Sequence, residues 1–211
     1  MQQVFDPDNA WWRFVSRCVD VVGLSVFWAI LCLPVVTAGP ASSALYYTVV
    51  KCFRQKESGA FGVFARAFRD GLRQGALATL LCLPAAAALA FGYAVMRENW
   101  GSDAGAVMFV AYEVALVVPA GIVCWLTALL GRFTLRLRDA FRTAALLSLR
   151  HLPSTVVVVL LTLELGVFTL ERWWPVLFTP ALCALLTSLF FERVFPKYLG
   201  LEDAEKPNKQ M

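Results

Sequence analysis

The sequence has little of the charge that a soluble protein needs. Only 16% of its 211 residues are charged, whereas 59% are apolar. Ordinary soluble domains have about 25% charged and roughly 45–50% apolar residues. A soluble fold of this size would lack the polar surface to cover itself. These proportions exclude a cytosolic enzyme, a disordered tail and a disulfide-stapled secreted module.

Residue patterns for catalysis or metal binding are also missing. The chain has one histidine, His151, and it has no glycine-rich phosphate loop, HExxH motif or nucleophile elbow. Its six cysteines are scattered without a CxxC pair, which indicates packing residues. We therefore expect a protein that is not an enzyme and that uses no cofactor or metal. Because no groove-reading module is present, we also expect no nucleic acid partner.

Five apolar stretches are long enough to cross a bilayer, whose core takes roughly 20 helical residues. Backbone polar groups in lipid must be satisfied within the segment, which favours helices. The predicted fold is all-α: a polytopic membrane helix bundle with additional cytoplasmic amphipathic helices. It forms a single domain over residues 1–211, with a cytoplasmic tail at 192–211. The predicted spans are residues 19–38, 75–96, 106–131, 152–170 and 173–191.

Lysine and arginine are concentrated in alternate connections between these stretches. The first and third connections and the tail carry fifteen of them, whereas the other segments carry four. By the positive-inside rule, this asymmetry predicts five spans in a plasma membrane, with the N-terminus outside and the C-terminus in the cytoplasm. Residues 41–53 leave an alternative open, because this apolar segment is either interfacial or re-entrant.

Two of the cytoplasmic connections carry basic amphipathic helices. In the first, apolar residues recur at helical spacing from Phe61 to Leu72, and arginines occupy the opposite face. Such a helix lies at anionic headgroups or docks on a partner through aromatic anchors and arginines. A similar stripe runs from Phe133 to Ala144. The candidate docking residues are Phe61, Phe64, Arg66, Phe68, Arg69, Asp70, Gly71 and Arg73.

Three acidic residues, Asp20, Glu113 and Glu164, lie inside predicted spans. A carboxylate in hydrocarbon costs at least a few kcal/mol unless it is paired, hydrated or protonated. At 1.5 Å per helical residue, Glu113 and Glu164 each lie roughly 10 Å below the outer interface. The three side chains either line an outward-facing polar cavity or are satisfied separately by their neighbours.

The first 55 residues carry a family resemblance. The chain resembles the YesL family of bacterial integral membrane proteins at Phe5, Asp8, Asn9, Phe14, Asp20, Leu24, Trp28, Pro34, Thr37 to Ala41, Ala44 to Tyr47 and Lys51. The resemblance implies a bacterial plasma membrane protein of unestablished activity. Its relatives are encoded with carbohydrate ABC importers and polysaccharide-degrading enzymes, so it also implies ABC permease or ATPase subunits as partners beside the lipid bilayer.

A second similarity concerns the docking helix. Asp70-Gly71 followed by Leu83-Pro84 is similar to the cytoplasmic coupling motif of ABC permeases. The acidic start of that motif is absent, since Ala65-Arg66-Ala67 stands there, and chance is the alternative explanation.

Two functions are compatible with these observations. The first is a non-enzymatic accessory or scaffold component associated with carbohydrate ABC import. The alternative is a small membrane transporter or channel with an acidic outward-facing cavity. The sequence predicts neither the substrate nor the oligomeric state.

Overall fold

A computed structural model describes residues 10–54, 59–98, 103–133, 135–172 and 174–199. Seven α-helices make up this part of the chain, which confirms the all-α prediction. The last twelve residues of the predicted tail at 192–211 lie outside the described residues. The helices are α1 (Ala10–Leu31), α2 (Ala38–Val49), α3 (Ala60–Glu98), α4 (Asp103–Arg132), α5 (Leu137–Arg150), α6 (Leu152–Arg172) and α7 (Thr179–Leu199).

Helices α3 and α4 form a long antiparallel pair. Tyr93 of α3 packs on Phe109 of α4, with ring centroids 5.3 Å apart, and near the other end of the pair Gln74 donates to the carbonyl of Leu135, just after α4. In the described ranges these two helices are long and apolar enough to cross a membrane. A third crossing is added if α5 and α6, which meet at 103°, are one broken span. The structure thus supports a membrane protein with two or three candidate spans, fewer than the five predicted.

The predicted span 19–38 is a helix, a turn and the start of a second helix. Helix α1 ends at Leu31, Pro34 has extended backbone angles, and Val35–Thr37 form a 3-10 turn before α2. Proline has no N–H to donate and disfavours helical geometry in the residue before it, which explains the break. The Thr37 hydroxyl contacts the carbonyl oxygens of Leu31 at 2.5 Å and Pro34 at 2.7 Å, so the side chain of the turn satisfies its own backbone.

Helices α1 and α2 form a hairpin that lies along the first half of α3. At the turn, the Gly39 N–H donates to Thr79 Oγ1 at 3.0 Å, and midway along the hairpin Trp28 Nε1 donates to Ser42 Oγ at 3.2 Å. Gly23, earlier on α1, lies against the ring of Phe61 near the start of α3. Helix α1 therefore runs in the direction of α3, and α2 returns in the opposite direction.

Helix α2 is at the centre of the molecule. Eight of its twelve residues are buried, and it packs on α3, α4 and α7. One apolar core lies between helices α2 to α7, around the fully buried rings of Trp125 and Phe191, whose centroids are 4.3 Å apart. A second lies between α1, α2, α3 and α7, around Phe64. Residues 41–53 are therefore covered by protein on most sides.

Helix α5 returns along α4 before the chain turns sharply into α6. Ser148 near the end of α5 approaches the Val118 carbonyl of α4, with Oγ and O 3.5 Å apart. Thr155 Oγ1 is 3.1 Å from the Ser148 carbonyl and 3.0 Å from that of His151, so it supplies a partner where the helix is interrupted. The predicted amphipathic stripe holds in outline, because Phe133 and Ala144 are buried and Leu137 and Phe141 are half-buried, whereas the neighbouring arginines are exposed.

Candidate functional site

The structure does not bring the three predicted acidic residues together. Asp20 lies on α1, one helical turn before Gly23 and near the start of α3, whereas Glu113 follows Tyr112, whose hydroxyl donates to the Leu89 carbonyl at 2.8 Å. The segment of α3 from Phe61 to Leu89 is roughly 40 Å long at 1.5 Å per residue. Asp20 and Glu113 therefore lie near opposite ends of the α3–α4 pair.

The third acid, Glu164, is exposed on α6, two residues after Thr162. Thr162 Oγ1 lies 3.7 Å from Cys183 Sγ on α7. Glu113 is also exposed, and within the described ranges none of the three carboxylates has an ion-pair or hydrogen-bond partner. The arrangement offers separate acids, Glu113 and Glu164 exposed and Asp20 half-buried, rather than one cavity lined by three.

The aromatic residues of the predicted docking helix pack against other parts of the same chain. The Phe64 ring is fully buried, 5.8 Å from Phe27 of α1 and 6.4 Å from the stacked ring of Phe68. Phe61 is 44% exposed but also packs edge-on against Phe27, at 6.5 Å. The periodicity identified the buried face of α3 only in part, because Phe64 is buried and Phe68 is half-buried whereas Phe61 and Leu72 are exposed. The face that packs on α1 and α2 is formed by Ala60, Val63, Phe64 and Ala67.

The opposite face of the same helix is free. Arg66, Arg69 and Arg73 are exposed together with Asp70, and Gly71 between them is half-buried. The adjacent Gln74 bonds to the chain at Leu135, which brings the start of α5 alongside α3. We use the name arginine surface for five exposed arginines: Arg66, Arg69 and Arg73 on the first half of α3, Arg136 just before α5 and Arg138 in its first turn.

Two glycines allow the close packing of α2. A Cβ atom at Gly75 of α3 would lie 2.7 Å from the Pro40 Cα, and one at Gly131 of α4 would lie 2.6 Å from the Ser43 carbonyl oxygen. Real Cβ atoms do not approach backbone so closely, so only glycine permits these contacts. Helix α2 is therefore fixed by direct backbone approach to the two longest helices.

A polar cluster that the sequence analysis missed ties α2 to α4 and α7. Glu192 Oε2 lies 3.5 Å from the Arg132 guanidinium, and the Tyr46 hydroxyl donates to Glu192 Oε1 at 3.3 Å. The Arg132 and Glu192 side chains are only 18% and 13% exposed. Both lie at the edges of predicted spans, where a charged residue is ordinary, so no spacing signal indicated the pairing.

The polar contacts between the helices stabilise the fold rather than form a site for chemistry. The carboxylate of Glu192 has both a cation and a hydroxyl donor, and the Trp125 Nε1 donates to Thr155 Oγ1 at 3.0 Å. In the part of the chain that the structure describes, no three His, Cys, Asp or Glu side chains are grouped as metal ligands would be. The group most available to a partner is the arginine surface.

Comparison with known protein families finds a match to the part of the chain that contains the hairpin. Residues 10–93 match a protein family described as "Protein of unknown function, DUF624". This match covers the α1–α2 hairpin and most of α3, the helix on which the hairpin packs. No curated protein and no solved structure matches the chain.

Proposed function

We propose that the protein is a non-enzymatic integral membrane protein that acts as an accessory or scaffold component of a carbohydrate ABC importer. In this proposal the arginine surface docks on the cytoplasmic side of the permease or ATPase. The observation that carries the docking step is the exposure of Arg66, Arg69 and Arg73 on one face of a helix whose other face is packed. The link to carbohydrate import comes from the family resemblance.

The charged face suits a partner better than the aromatic face does. Phe64 is covered by α1, so a partner that required it would have to displace the hairpin. The arginines need no such rearrangement, since Arg66 Nε bonds only within its own helix, to the Gly62 carbonyl at 3.2 Å. Guanidinium groups on a rigid helix bind carboxylates with two parallel hydrogen bonds at little entropic cost. An acidic patch is the partner chemistry that this surface fits.

The proposal requires the arginine surface to face the cytoplasm. The positive-inside rule supports that side for both connections that carry it. The count of five spans and an external N-terminus belong to the same prediction, but docking depends only on the side of α3 and α5 that carries the arginines.

Co-purification from the native host in mild detergent tests the docking. We expect tagged protein to bring down ABC permease or ATPase subunits, and the double variant Arg66→Glu, Arg69→Glu to reduce their recovery by about tenfold, because reversed charges repel an acidic partner. The matched control is Arg142→Glu, Arg172→Glu, which reverses two exposed arginines outside the surface.

Two outcomes would contradict the proposal. One is the absence of any importer subunit from the wild-type sample while other membrane assemblies survive the same detergent. The other is equal recovery from the surface variant and its control. Uptake by the purified protein in liposomes, lost on Glu113→Gln or Glu164→Gln, would instead support the transporter alternative.

A further inference from the structure

The α1–α2 hairpin contains an unusually long stretch without charge. The thirty residues between Asp20 and Lys51 include no Asp, Glu, Lys or Arg. The midpoint of this stretch falls between Val35 and Val36, in the turn that separates the two helices. Each arm of the hairpin is therefore uncharged over about the same length, and the nearest charged residues, Asp20 and Lys51, lie at its base.

The length of each arm fits half of a bilayer better than the whole. Fifteen residues at 1.5 Å reach about 22 Å, whereas the hydrocarbon core is about 30 Å thick. The contacts of α1 with Phe61 and of the turn with Thr79 place the base near the start of α3 and the tip farther along it. An arm of this length reaches beyond the midplane of the bilayer but does not span the whole hydrocarbon core.

The tip exposes large apolar side chains. Leu33 is 80% exposed, Ile30 57% and Val35 55%. Its backbone is largely satisfied from within, since the N–H groups of Cys32, Leu33 and Thr37 all donate to nearby carbonyls. Because backbone polar groups in hydrocarbon must be satisfied within the protein, these bonds lower the cost of placing the turn at membrane depth. The tip therefore combines an apolar exterior with a hydrogen-bonded backbone.

We infer that the α1–α2 hairpin is re-entrant, with its tip among the acyl chains just beyond the bilayer midplane and with Asp20 and Lys51 facing the same aqueous phase, on the arginine-rich side. The exposed apolar side chains of the tip contact lipid. A bilayer explains both the apolar tip and the charges at the base, because apolar atoms gain from hydrocarbon and charged groups stay in water.

The distribution of basic residues supports this arrangement. If the end of α1 that precedes Asp20 lies on the arginine-rich side and the later connections lie as predicted, only Arg97 and Arg172 of all lysines and arginines are on the other side. An external N-terminus would add Arg13 and Arg17 to that side. The re-entrant hairpin thus satisfies the positive-inside rule more completely than a crossing α1 does.

The side of the N-terminus is the first test. A short epitope tag before Met1 should be removed by protease in inside-out vesicles and retained in intact spheroplasts, as a tag after Met211 should be. A tag inserted after Asn99 is the opposite control and should be lost from spheroplasts. Loss of the N-terminal tag from spheroplasts would overturn the inference.

The depth of the tip is the second test, and it also applies if the tag alters insertion. In a background in which the six free cysteines are replaced by serine, an environment-sensitive dye would be attached to Leu33→Cys, with Arg69→Cys as the control. We expect lipids spin-labelled at mid-chain to quench the Leu33 dye several-fold more than aqueous iodide does, and the Arg69 dye to show the reverse. Strong iodide quenching at Leu33 would show that α1 crosses.

These outcomes do not depend on the proposed function. The hairpin can be re-entrant without any ABC partner, and a partner can bind the arginine surface whichever way α1 runs. Failure of the co-purification and failure of the tag or dye experiments are therefore separate results.

Discussion

The two halves of α3 have the same helical backbone but different surroundings. From Ala60 to Thr79 one face is packed by the hairpin, and Val63, Phe64 and Gly75 are buried. From Leu80 to Val95 the described side chains include none that is buried, although the segment is just as apolar. The difference shows that apolar composition does not by itself indicate the protein core in this chain.

The packed half of α3 is held by specific polar and glycine contacts, namely the Gly39 N–H to Thr79 and the close approach of Pro40 to Gly75. The helices beside it are joined in the same way, because Arg132, Glu192 and Tyr46 connect α4, α7 and α2 and Gly131 lets α2 touch α4. The other half has few such contacts, among them the Tyr112 hydrogen bond to the Leu89 carbonyl. Lipid is as apolar as leucine, so packing detail rather than hydrophobicity holds membrane helices together. Substitutions in the packed half should therefore cost more than substitutions in the other half.

The largest effect is expected at the buried ion pair. Arg132→Met leaves the Glu192 carboxylate largely buried without its cation and should lower the free energy of unfolding by about 3 kcal/mol. Reversible unfolding in mixed detergent micelles measures this. The matched control is the double variant Arg132→Met, Glu192→Met, which removes both charges and should be more stable than the single variant. Equal losses in the two variants would show that the pair is not energetically coupled.

The second largest loss of stability is expected at the glycine contacts. Gly131→Ala places a methyl group against the Ser43 carbonyl and should cost about 2 kcal/mol, since overpacking forces backbone to move. Gly62→Ala is the control, because a Cβ there meets nothing within 4 Å and alanine is the better helix former. The same unfolding measurement applies, and a neutral Gly131→Ala would contradict the close approach of α2 to α4.

A smaller loss is expected where α4 meets α6. Trp125→Phe keeps an aromatic ring beside Phe191 but removes the hydrogen bond to Thr155, which should cost about 1–2 kcal/mol. Thr155→Val on its own, and in combination with Trp125→Phe, completes a double-mutant cycle. Additive losses in that cycle would mean that the two side chains do not interact.

The smallest effect is expected in the exposed half. Tyr112→Phe removes only the hydrogen bond to the Leu89 carbonyl and should cost about 0.5–1 kcal/mol. A loss as large as that of Arg132→Met would erase the contrast between the two halves of α3.

Local periodicity predicted much of the helical structure but not its connections. The stripe from Phe61 to Leu72 placed Phe64 on a buried face, and the predicted span 106–131 lies within α4. The predicted span 19–38 extends too far because the apolar run continues past Pro34, whereas the helix ends at Leu31. Pro84 in α3 and Pro119 in α4 are indeed accommodated inside helices, so proline alone does not distinguish a kink from a break.

The tertiary pairings of the candidate site could not be deduced from spacing. Glu192 and Arg132 are sixty residues apart, and their contact depends on how α7 crosses α4. The acids Asp20, Glu113 and Glu164 are similar in sequence context, yet the helices that carry them place Asp20 and Glu113 near opposite ends of the α3–α4 pair. The depth of an acid within a predicted span does not indicate on which face of the helix it lies or which residues surround it.

Chemical cross-linking of α1 to α3 tests most directly the claim that α1 and α2 fold back along the first half of α3. In a background in which the six cysteines are replaced by serine, the pair Gly23→Cys, Phe61→Cys should be joined by a short thiol-reactive bifunctional cross-linker, because Gly23 lies against the tip of the Phe61 ring and the two positions are therefore one side chain apart. The pair Gly23→Cys, Phe91→Cys should not, since Phe91 lies thirty residues farther along α3. Cross-linking to position 91 but not to position 61 would show that α1 runs opposite to α3 and would contradict the hairpin.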